Sequence, residues 1–219
     1  MSRPMILPRL VALLVLLTTI SLGVPAKALS FLDADFQQGG FALGQVEPGS
    51  SVRFDGRAVR VGPDGRFVIG FHRDDPATME LAVTAPDGTV RRETIAIAQR
   101  DYDIQRIDGL EPKKVTPPEE VLARIRADAD LVREARTRDS AETWFDSGFV
   151  WPVEGRITGV FGSQRVLNGK PRQPHYGIDI AAPTGTHVVA PADGVVSLVQ
   201  DDMYFSGGTL MIDHGRGLA

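Results

Sequence analysis

The residues best equipped for chemistry are His175 and Asp179, in the stretch Pro174-His175-Tyr176-Gly177-Ile178-Asp179. An imidazole and a carboxylate are both zinc donors, and a hydrolytic zinc takes about three protein ligands plus a bound water. In a straight strand four residues advance about 13 Å, too far for two side chains to share one ion at bonds of about 2 Å. The backbone is therefore expected to bend between them. Gly177 tolerates such a bend, and Pro174 pushes Gln173 toward an extended conformation. A helix would also put positions 175 and 179 on one face. Gly177, the β-branched Ile178 and Ile180, and the Pro183-Thr184-Gly185 turn argue against it. An isolated His-x-x-x-Asp is more often a hydrogen-bonded surface pair, so the surrounding sequence has to decide.

Those surroundings run from Gly155 to Gly162 (GRITGVFG), through Asn168-Gly169, Pro171-Arg172 and His175 to Asp179, then Pro183, Gly185-Thr186 and Ala190 to Val196 (APADGVV). In order and spacing this stretch resembles the lysostaphin/LytM-type zinc endopeptidases, from about Trp151 to the end of the chain. The resemblance implies that His175 and Asp179 match the family's first two zinc ligands. It also implies a later His-x-His pair, which holds the third ligand, and a catalytic His in a Tyr-x-His segment. Neither segment occurs in residues 1–219. Thr209 to Ile212 reads as a strand and Gly215 to Gly217 as its turn, with little chain left to pair back. The expectation is a catalytic domain interrupted before its site is complete, inactive in this form.

The other imidazoles suit different roles. His214, in Asp213-His214-Gly215, sits in a turn pattern of the family. His187 stands where relatives usually place Pro, and His72 is read as a surface strand residue without an acidic partner at ligand spacing. Tyr204 falls where a family tyrosine reaches toward the metal, so its phenol could donate to a developing oxyanion; packing over the Ser206-Gly207-Gly208 loop is the equal alternative. Asn168-Gly169 reads as a two-residue hairpin turn. Arg165 and Arg172 could line the cleft or be solvated.

These residues must be delivered by a frame. Arg3 and Arg9 precede an apolar run from Leu10 to Val24 and then Ala26-Lys27-Ala28, the order of a secretory signal. The run of about 15 residues is shorter than the ~20 a spanning helix needs. Cleavage after Ala28 and transient membrane contact are expected. From about Phe36 to Ala98, short strands alternate with Pro48-Gly49, Asp55-Gly56, Pro63-Asp64-Gly65, Asp74-Asp75-Pro76 and Pro86-Asp87-Gly88, the signature of a small antiparallel sandwich or barrel. Thr116 to Glu119 has the form of a capping box, and Leu122, Ile125, Ala129 and Val132 recur at helical spacing, predicting a helix over about 117–137.

The fold class expected is mainly β: a small N-terminal antiparallel β domain, a connecting helix and an incomplete antiparallel β-sheet catalytic domain. The divisions are a signal peptide (1–28), a small all-β module (36–110), a helical linker (111–145) and a partial zinc-endopeptidase domain (151–219). With no cysteine, thiol catalysis, disulfides and Cys-based zinc sites are excluded. A net charge of −4 gives no electrostatic reason to expect nucleic acid. The function implied is Zn2+-dependent cleavage of peptide cross-links or stem peptides of bacterial peptidoglycan, in the periplasm or cell envelope. The alternative is a degenerate LytM-type domain that activates other cell-wall hydrolases.

Overall fold

The computed structural model describes residues 29–111, 115 and 117–219; the expected signal peptide (1–28) lies outside the described residues. The chain is mainly β, with several antiparallel sheets and one long helix.

The first half builds two facing sheets. Strands β1 (Ser30–Ala34), β2 (Phe41–Gln45) and β5 (Arg66–Gly70) pair in the order β1-β2-β5. Strands β3 (Ser51–Phe54), β4 (Arg57–Val59), β6 (Thr78–Thr84) and β7 (Val90–Ala96) pair in the order β4-β3-β6-β7. Period-2 alternation buries one face of each strand: Val52 and Phe54 point inward while Ser51 and Arg53 stay exposed, and Met79, Leu81 and Val83 do the same on β6. Phe67 and Leu81 are completely buried at the centre, each worth about 1.5–3 kcal/mol of apolar burial. Asp55 and Gly56 both have positive φ, 46° and 73°, the conformation a tight two-residue hairpin between β3 and β4 requires.

The chain then leaves the sandwich as β8 (Ile104–Ile107), which runs parallel to β10 (Gln164–Leu167); β11 (Lys170–Pro171) flanks β10 antiparallel. This parallel pairing departs from the all-antiparallel expectation. A long crossover through the helix makes it possible. Asn168 and Gly169, at φ 48° and 74°, turn β10 into β11 as their sequence predicts. The Asn168 side chain then clamps Leu110, accepting from its N–H at 3.0 Å and donating to its carbonyl at 2.7 Å.

Helix α1 spans Glu119–Ala135. Its N-cap is Pro118, extended at φ −60° and ψ 149°, with no side-chain cap bond, so Glu119 is the first helical residue and the expected capping box is not what starts the helix. The physical reason is steric: Pro118 keeps Pro117 out of the helical region. Glu119 and Glu120 at the first turn and Arg133 at the last suit the helix dipole instead. The helix lies against β13 (Val195–Met203), which pairs with β14 (Gly207–Asp213). Arg124 reaches Asp202 at 2.9 Å, and Asp128 accepts the backbone N–H of Tyr204 at 2.8 Å. Strands β9 (Arg156–Gly159) and β12 (Asp179–Ala181) form a separate antiparallel pair.

Specific contacts dock the sandwich against the second half. Arg73 Nε donates to the Gly162 carbonyl at 2.8 Å, and its guanidinium lies 4.5 Å from the Tyr102 ring centre. Arg216, buried, donates to the Arg66 carbonyl at 2.7 Å and to Asp64 at 3.2 Å. Among the described residues no helix is long and apolar enough to cross a membrane.

Candidate metal centre

His175 reaches its place by two main-chain bonds rather than by a strand. Its N–H donates to the Ser163 carbonyl at 2.8 Å, and its own carbonyl accepts from Gly162 N–H at 2.7 Å. These bonds strap the loop onto the turn between β9 and β10. The chain bends at Gly177 and enters β12 at Asp179, so the bend required by the spacing is present. Asp179 pairs with Gly159, and the register shifts between Asp179 and Ile180, a bulge that re-aims the carboxylate.

The outcome is convergence. His175 Nε2 stands 3.3 Å from Asp179 Oδ1, yet the approach lacks hydrogen-bond geometry and Nε2 is buried without a hydrogen-bond partner. An unsatisfied buried ring nitrogen is costly. Two donors each about 2.0–2.2 Å from one tetrahedral ion lie about 3.3–3.4 Å apart, so the pair has the separation of two ligands rather than that of a bonded couple. Beneath the carboxylate, a Cβ on Gly159 would meet Asp179 Oδ2 at 2.2 Å; only glycine leaves that cradle open. These features fit a divalent cation with N and O donors. Among the described residues no third His, Cys, Asp or Glu joins the pair.

The pair opens onto a groove of about 1010 Å³. Gln164, Arg165 and Arg172 form its polar side, Ile157, Tyr204 and Phe205 an apolar one, and Val115, Pro117 and Pro118 before α1 close part of it.

Tyr204 thus shares the groove with His175 and Asp179. It lies between β13 and β14, with its ring edge-on to Phe205 at 4.9 Å and Arg124 5.9 Å from its centre. His214 is elsewhere: buried in the turn after β14, its Nδ1 is 2.7 Å from the Asp193 carbonyl and its ring 5.6 Å from Phe149. His187 is exposed in the loop after Pro183. His72 corrects the strand expectation. It lies in the turn after β5, because Asp75 accepts its N–H at 2.6 Å and ends the strand. Its ring packs 5.4 Å from Tyr176, beside the candidate ligand. Sequence reasoning missed the roles of Gly159 and Asp128; a glycine inside a strand was the available signal for the first.

The β-sheet frame thus brings an imidazole and a carboxylate together beside an open groove. Residues 173–219 match the model of Peptidase family M23. A crystal structure from Pseudomonas aeruginosa whose description names peptidase M23 is 26% identical, with a TM-score of 0.60 over 84% of this chain and 71% of that one. No curated protein matches. These similarities support the expected likeness to the lysostaphin/LytM type.

Proposed function

We propose that the chain belongs to a zinc-dependent endopeptidase acting on cross-link or stem peptides of bacterial peptidoglycan. The observation that carries the reading is the buried, unpartnered His175 Nε2 at 3.3 Å from Asp179 Oδ1 on the groove. Zinc bound there would polarise the scissile carbonyl and lower the pKa of its water. His175 offers a ring nitrogen already stripped of water, and Asp179 supplies a carboxylate oxygen beside it. Gly159 leaves the carboxylate its space. Tyr204, on the groove wall, has its backbone held by Asp128, and its phenol would offer a hydrogen bond to oxyanion charge. A third ligand and a catalytic His come from outside the described residues on this reading. The pattern of residues 1–28 supports export to the periplasm or cell envelope.

The two-donor count favours one second reading, a LytM-type domain that binds the cell wall and activates other hydrolases without cleaving. Digestion of purified peptidoglycan separates the two. Release of new amino groups from purified peptidoglycan, abolished by a chelator, restored by zinc and lost in His175→Ala and Asp179→Ala, is the result expected. Cleavage that survives both substitutions overturns the peptidase assignment to this site.

A further inference from the structure

We propose that Arg165 and Arg172 form a carboxylate-binding subsite that restricts the groove to peptides bearing a free carboxylate near the cleaved bond; this rests on the peptidase reading and names its substrate class.

The register of the β10–β11 hairpin places Val166 opposite Pro171 and Leu167 opposite Lys170. The next step of the ladder is Arg172 N–H donating to the Arg165 carbonyl at 2.8 Å, so the two arginines are cross-strand neighbours on one face of the hairpin. Both line the groove that holds His175 and Asp179. Gln164 fixes the arrangement by donating to the Arg172 carbonyl at 2.6 Å.

Like charges directly opposite each other in a ladder are destabilising, and several other arginines of this chain are neutralised by a carboxylate. Arg66 holds Asp146, Arg73 holds Asp74, Arg124 holds Asp202 and Arg216 holds Asp64. Arg165 and Arg172 have no ion pair and no side-chain hydrogen bond among the described residues. The groove's two carboxylates are otherwise engaged. Asp179 converges with His175, and Asp103 accepts from Gln105 at 3.2 Å. Two uncompensated guanidiniums on one face of a hairpin offer several N–H donors to one anion, and a guanidinium fork matches a planar carboxylate. Arg172 is three residues from His175, at most about 10 Å along the chain. An acidic group bound there belongs to a residue within about three positions of the bond over the metal. A neutral strand such as polyglycine has nothing to offer this site.

The test is binding, not turnover. Two peptides carrying a neutral dye serve as probes: Ala-Glu-Ala-Ala with its carboxylates free, and the neutral isostere Ala-Gln-Ala-Ala-amide. Fluorescence anisotropy at low ionic strength is expected to show the acidic probe binding the full chain about tenfold tighter, with the preference shrinking as salt is added. In Arg165→Gln/Arg172→Gln the preference falls to within about twofold, while Arg165→Lys/Arg172→Lys keeps part of it. Equal affinity for the two probes, no binding of either, or a preference that survives the double glutamine substitution overturns the subsite. These outcomes are independent of zinc. Absence of discrimination in the unsubstituted chain with cleavage intact removes the subsite alone, and discrimination without zinc-dependent cleavage removes the peptidase reading alone.

Discussion

Gly159 and Asp179 face each other across β9 and β12, and the Asp179 carboxylate occupies the space that a side chain on residue 159 would need. The overlap at 2.2 Å is far inside van der Waals contact, so any larger residue must rotate the carboxylate away from His175.

Gly159→Ala is therefore expected to weaken zinc binding by about 10–100-fold, the scale on which positioning groups around a metal act. Unfolding by urea should change little, because the strand is short and Asp179 is largely exposed. Calorimetric titration of the variant checks this; unchanged affinity would show that the carboxylate is not held by the cradle.

Residues 1–219 should bind zinc weakly, since two protein donors converge and no third joins them among the described residues. His175→Ala removes what binding there is. His214→Ala leaves zinc untouched but costs about 1–3 kcal/mol of stability, because it strands the Asp193 carbonyl and empties the space beside Phe149. Tight one-to-one binding lost in His214→Ala would reverse the assignment of the two histidines.

Asp128→Ala should disturb Tyr204 without disturbing the metal pair. The carboxylate holds the Tyr204 backbone from helix α1 at 2.8 Å, and it touches neither His175 nor Asp179. The expectation is a fall in kcat of about tenfold, with zinc affinity and KM kept, as for loss of an interaction made only in the transition state. Equal losses of kcat and zinc affinity would show a general loosening of the groove instead.

Much of this arrangement was legible because it is local. The imidazole–carboxylate pair, the bend at Gly177 and the Asp55-Gly56 and Asn168-Gly169 turns all follow from residue types a few positions apart. The sandwich strands follow from period-2 alternation between turn signals. What could not be read depends on chain brought from far away. The β8–β10 pairing joins residues 60 positions apart, His72 meets Tyr176 from a turn about a hundred residues away, and the helix start was decided by the steric rule for Pro117-Pro118 over the capping pattern. Arg165 and Arg172 were visible as charges, but their opposition on one face needed the hairpin register.

The same long-range reasoning gives a pH dependence. Burial pushes the Asp64 carboxyl up, but hydrogen bonds from the Arg66 side chain and backbone, with the charges of Arg216 and Arg66, outweigh it and hold the group at about 2. An unfolded aspartate titrates near 3.9. The folded form is thus the stronger acid, and the stability it contributes is present above about pH 4 and lost as pH falls toward 2. Asp64 is 38% exposed at its side chain, so solvent screening limits the contribution to about 1 kcal/mol. Asp64→Asn should lower stability by about that amount at pH 6, and the gap to the wild type should close by pH 2. Arg216→Ala should cost more, about 2 kcal/mol, because it uncovers the Arg66 carbonyl as well and leaves a hole in a buried position. Urea unfolding of both variants between pH 6 and 2 reads these differences. A gap for Asp64→Asn that stays constant across that range would mean the carboxylate is not charged and clamped between Arg66 and Arg216 in the folded chain.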